Sequence, residues 1–164
     1  MADRYLKDAR FLELVEPYVS TPEFQSLKNS KHHIDSIYNH TLRVAYKAYR
    51  LGKVFKASEI ELLRGALFHD LYFHDWRDEE FLYNHGWTHP GIALGNAREL
   101  FGPLTNREED IIATHMWPFN FKSFPSYKES FIVTFSDKWV ATGEIMLMVV
   151  DFFKCILTGK KPNI

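Results

Sequence analysis

Along nearly the whole chain, apolar residues recur at the spacing of a helix. No run alternates apolar and polar side chains as a half-buried strand must. That pattern excludes sheet-based folds and predicts an all-α protein. Between Tyr5 and Val19 the apolar positions are Leu6, Phe11, Leu14, Val15 and Tyr18. Thr21-Pro22-Glu23 carries a helix start, a capping Thr followed by Pro at the first helical position. From Asp35 to Leu51, Ile37, Leu42, Val44, Ala45, Ala48 and Tyr49 keep a helical period, and Gly52 is expected to cap the C-terminus. Ser58, with Glu61 three residues on, reads as a capping box for a helix from Glu59 to Leu71. Thr88-His89-Pro90 is expected to open a helix running to Phe101, and Thr105 with Glu108 to cap one that ends at His115. Ser126 to Leu157 supplies one or two long helices, Gly143 being the point of division in the second case.

The 164 residues suffice for one compact domain with a core, and no repeat or linker composition divides them, so a single domain over 1–164 is expected. An apolar fraction of 46% with 16% aromatics argues against disorder. Twenty Lys and Arg against twenty-one Asp and Glu leave a net charge of -1, which gives no electrostatic reason for a long nucleic-acid partner. A small phosphorylated substrate stays open, because local charge decides that. The one cysteine, Cys155, cannot form an intrachain disulfide and fits a reducing compartment. The most apolar stretch, Ile145 to Leu157, is interrupted by Asp151 and Lys154 and falls short of the roughly 20 apolar residues of a membrane span. It is expected to form a buried C-terminal helix. The start of the chain shows no secretory leader, and the expected location is the cytoplasm.

Eight histidines are present, and their placement carries more information than their number. His40 falls inside a helix, His69 and Asp70 at a helix end, His89 at a helix start, His115 at a helix end, and Asp137 inside a late helix. Imidazoles and carboxylates on separate helices can converge in the middle of a bundle. A mixed nitrogen and oxygen set suits iron, manganese, zinc, nickel or cobalt better than calcium or magnesium.

Three segments then carry a resemblance: Asn39-His40-Thr41-Leu42-Arg43-Val44-Ala45, Ala66-Leu67-Phe68-His69-Asp70 and Ser136-Asp137-Lys138. Together they resemble the H…HD…D signature of the HD superfamily of metal-dependent phosphohydrolases. The resemblance implies an HD-domain helical bundle in which His40, His69, Asp70 and Asp137 hold one metal. In the binuclear branches two further histidines lie between the His-Asp pair and the last aspartate, and His89 and His115 match that order. It implies two divalent ions, iron or manganese first, with Asp70 bridging them. Two divalent ions and two aspartates leave about two positive charges, a centre suited to phosphate.

The function so implied is hydrolysis of a nucleotide or other small phosphate ester by a metal-activated water. Arg43, on nearly the same helix face as His40, and Lys138 are candidate phosphate-binding groups beside the catalytic Asp70. A salt-bridge role competes for both. Some HD-fold proteins instead use a mixed-valent di-iron centre as an oxygenase, and a non-catalytic nucleotide sensor is the third reading. The Gly-Tyr-Pro motif of the cyclic-di-GMP branch is absent. His32 and His33 read as surface residues, and His74 and His85 as loop residues near the pocket. The aromatics of Tyr72-Phe73-His74-Asp75-Trp76 and Met116-Trp117-Pro118-Phe119 are candidate pocket walls, with core packing as the alternative.

Overall fold

The computed structural model describes residues 4–29, 31, 32, 35–73 and 85–158. Among them are seven α-helices: α1 (Ala9–Val19), α2 (Pro22–Ser26), α3 (Ile37–Phe55), α4 (Glu59–Phe68), α5 (His85–Phe101), α6 (Asn106–Thr114) and α7 (Lys128–Thr158). A turn of 3₁₀ helix, Arg4–Lys7, precedes α1, and a two-residue antiparallel pairing of Lys31–His32 with Asp35–Ser36 precedes α3. The protein is an all-α bundle, as the apolar period requires.

The central helix is α3, which packs on α4 and α7, while α6 closes the layer against α4, α5 and α7. Its buried residues include Ile37, His40, Thr41, Val44, Ala45, Ala48, Tyr49 and Gly52, one continuous helical stripe. His40 therefore points into the bundle because it sits in register with the core. Ser36 starts the helix, its hydroxyl accepting from the Asn39 amide at 3.3 Å. Phe11, Phe24, Leu63, Leu67, Ile111 and Val133, from five different helices, join one buried apolar cluster.

Several boundaries differ from the sequence reading. α3 passes Gly52 and ends three residues later, with Lys56 in the left-handed region at φ 51°. Gly52 serves packing instead, because a Cβ there would collide with Leu62 of α4. The Ser58–Glu61 capping box does not form. The Ser58 amide donates to Glu129 of α7 at 2.9 Å, and Glu61 turns to Thr105 and Arg107 at the start of α6. The box at Thr105 and Glu108 does form. α5 begins at His85, so Pro90 lies inside it, where its missing amide forfeits one bond near the helix start. Of the one or two helices expected over Ser126 to Leu157, one is found: α7 runs through Gly143 unbroken. A single interior glycine costs only about 1 kcal/mol, and side chains on both sides of it anchor the helix.

The Ile145–Leu157 stretch is helical, as expected, but over residues 145–154 it is not buried. Met146, Phe152 and Phe153 are each more than half exposed. No helix among the described residues is long and apolar enough to cross a membrane.

Gly65 sets how closely α4 approaches α6. A Cβ added there would meet three atoms of the Ile111 side chain at 2.6, 2.8 and 2.9 Å. Both residues are buried, so there is no room to yield. Gly65→Ala is expected to lower unfolding stability by about 1–3 kcal/mol, the usual cost of overpacking, despite alanine's better helix propensity. Urea denaturation checks this, and an unchanged or higher midpoint would contradict the packing described.

Candidate metal centre

Two of the five helices at the centre end on a histidine. His69 follows the last residue of α4 and His115 the last residue of α6, both with helical backbone angles. Each ring folds back, and its Nδ1–H donates to the carbonyl three residues earlier: Ala66 for His69 and Ile112 for His115, both at 2.7 Å. Those carbonyls belong to the last turn, where no amide reaches them. The bond fixes the tautomer, so each Nε2 presents a lone pair to the interior.

Asp70 stands between these rings. Its Oδ2 lies 3.4 Å from His69 Nε2 and 3.7 Å from His40 Nε2. Its Oδ1 lies 3.4 Å from both His89 Nε2 and His115 Nε2. Asp137, from α7, places Oδ1 3.2 Å from His40 Nε2 and 3.8 Å from His69 Nε2. The result is two adjacent buried triads, His40–His69–Asp137 and Asp70–His89–His115, with the ligating atoms of each within 4.8 Å of one another. The structure thus brings together all six residues singled out as ligands.

The donor set fits metal ions on its own chemistry. His69 Nε2 is buried without a hydrogen-bond partner. His115 Nε2 meets His89 Nε2 at 2.7 Å, although its own proton is committed to Ile112 through Nδ1. Buried lone pairs and carboxylates directed at one another are costly unless a cation takes them.

Electrostatics sort the ligands. Burial alone would raise Asp70, yet His69, His115 and His89 hold it well below the usual carboxylate range. Burial likewise opposes the ionised form of Asp137, and His40, Lys138 and His69 overcome it. Burial pushes His115 down to about 4 against the pull of Asp70, so it is neutral and ready to coordinate at neutral pH. For His40, burial works downward, but Asp137 and Glu144 outweigh it and raise it to about 10.

Glu144 is a site residue that the sequence reading did not name. It is 1% exposed, accepts from His40 Nδ1 at 3.0 Å and pairs with Arg43 at 3.2 Å. A carboxylate behind a ligating imidazole fixes ring orientation and raises ligand basicity. The signal for it was its spacing: seven residues after Asp137, about 20° from the same helix face.

Arg43 does not face the ligands. Its guanidinium spans Glu144 and Asp35, the latter at 2.7 Å, which is the salt-bridge alternative. Lys138 touches Asp137 Oδ2 at 2.6 Å and the His115 carbonyl at 3.0 Å, tying α7 to the end of α6. Tyr72 stands beside the centre, its ring 5.7 Å from that of His89. Trp117 packs away from the ligands on Phe124 and Phe131, and Phe119 is 70% exposed. His33, His74, Asp75 and Trp76 lie outside the described residues, as do the side chains of His32 and His85.

Compared with known proteins, the chain matches no family model, no curated protein and no solved structure.

The raised pKa of His40 has a measurable consequence. Without metal at neutral pH its ring carries both protons, and a cation at Nε2 must displace one. Affinity should therefore rise with pH, about tenfold per unit through this group, and level off near pH 10. Calorimetric titration with Mn2+ or Zn2+ in buffers of different ionisation enthalpy should count at least about one proton released per chain at pH 7.5. Glu144→Gln should lower metal affinity about 10–100-fold and reduce that proton count. Metal binding without proton release would contradict the charge state assigned to His40.

Proposed function

We propose that the chain is a metal-dependent phosphohydrolase of HD-superfamily type, acting on a nucleotide or other small phosphate ester. The observation that carries this reading is the two-sided environment of Asp70, with one oxygen toward each triad. That is the arrangement a bridging carboxylate needs between two ions. It supports the binuclear order already implied by His89 and His115. Four histidines and two aspartates suit iron, manganese, zinc, nickel or cobalt. Such ions supply Lewis acidity toward phosphoryl oxygen and lower the pKa of a coordinated water.

The chain's own residues set the rest. Only two of the six ligands are anionic, so the occupied centre keeps a positive balance that favours an anionic substrate. Lys138 adds a further positive charge, with its side chain 25% exposed at the edge of the centre. Arg43 acts at a distance in this reading, by holding Glu144 against His40. Tyr72 and the helix ends keep the ligands in a dry setting, which strengthens each electrostatic contact.

The test is anaerobic purification, elemental analysis, and a phosphate-release screen over mononucleotides, cyclic nucleotides and simple monoesters with the metal found. Asp70→Asn should lose metal and reduce turnover to background. His89→Ala and His115→Ala should each lower metal content from about two ions to about one, the other triad being intact. If both variants keep the wild-type stoichiometry, the binuclear reading fails. Dioxygen consumption with iron and no phosphate release would replace hydrolysis by oxygenase chemistry.

A further inference from the structure

Beyond Glu144, α7 presents apolar side chains on nearly every side. Along its outer face one set keeps a strict spacing: Phe135, Trp139, Thr142, Met146, Val149 and Phe153, at alternating steps of four and three residues. All six are exposed, the five apolar ones by 46–62%. Steps of four and three give a repeat of 3.5 residues, the period at which one helix meets another along a seam. The stripe lies about 180° round the helix from Asp137 and Glu144, so one helix faces the metal centre with one side and solvent with the other.

We propose that this face of α7 is the interface of a homodimer, each copy laying its stripe against that of the second. A helix that is apolar all round requires cover, and the area is adequate. Ile145 and Val150 flank the stripe and are 44% and 42% exposed, while Leu147 and Phe152 project about 100° or more from its mid-line. At roughly 150–250 Å² for a large apolar side chain, Ile145, Val150 and the five apolar residues of the stripe expose on the order of 700 Å² per chain. A stable interface buries roughly 600–1,000 Å² per partner. A two-fold axis makes any such stripe complementary to itself.

The charge pattern distinguishes this partner from a lipid surface. A helix lying on a membrane needs a cationic face opposite its apolar one. Between Glu144 and Lys154 the only exposed charges are Asp151 and Lys154, and they pair with each other at 3.2 Å. Lys47, placed 4.4 Å over the Trp139 ring, is a rim cation beside the seam.

Sedimentation velocity of the full chain should give a species of twice the 19.3 kDa chain mass at micromolar concentration. Met146→Glu with Phe153→Glu should give the monomer, with far-UV circular dichroism and metal content retained. Phe153→Asp alone, near the end of the helix, should weaken association at least tenfold with the least demand on folding. Ile60→Glu, an equally exposed apolar position on α4, should leave the dimer intact. A wild-type monomer at all concentrations overturns the proposal. So does a dimer that persists in both stripe variants, and so does a monomer that co-sediments with phosphatidylglycerol-containing vesicles.

Discussion

Two aspartates, Asp70 and Asp137, are buried among four imidazoles in the middle of the bundle, and the rest of the structure is arranged to make that tolerable. An unpaired buried carboxylate is among the most costly features a fold can hold. Here the compensation is assembled from α3, α4, α5, α6 and α7, so the helices cannot move apart without exposing or orphaning charge. The close approach permitted by Gly65 and Gly52 belongs to the same requirement. Both let helices approach until ligands on different elements share one site.

The two helix ends show how local structure serves that centre. A helix terminus leaves carbonyls without donors. In α4 and α6 a histidine just past the last residue satisfies one of them through Nδ1 and is thereby locked with Nε2 outward. The same hydrogen bond completes the helix and orients the ligand. His40 obtains its orientation differently, through Glu144 and, behind it, Arg43 and Asp35. Proton affinity follows the neighbouring carboxylates and not the mode of holding: it is low for His115, high for His40, and raised by Asp70 and Asp137 in His69, which is held like His115.

Much of this was legible in the residues. The helical period, the Thr21 and Thr105 starts and the six ligands were all readable, because each depends on a short local pattern or on an ordered set of chemically distinctive side chains. What was hidden depends on which helices lie side by side. Gly52 looked like a terminator until Leu62 was seen to need its space. Ser58 and Glu61 look like a capping pair and their side chains do meet, but the box does not form, because the Ser58 amide goes to Glu129 and Glu61 also binds Thr105 and Arg107, all distant in sequence. Glu144 resembled any charged residue on a long helix, since nothing near it in sequence says that His40 lies opposite. The burial expected of Ile145 to Leu157 came from hydropathy alone, which records the need for cover but not what supplies it.

Asp137 and Glu144 sit two turns apart on one uninterrupted helix, and that separation constrains how the gene could change over time. Removing one residue between them would turn everything downstream by about 100° and shift it by about 1.5 Å. Glu144 would leave His40, and the apolar stripe beyond it would swing away from its present direction in the same event. Adding seven residues would restore the angle but carry Glu144 about 10.5 Å along the axis. Length variation among descendants of this sequence should therefore be absent from 137–144 and collect in the connections between helices.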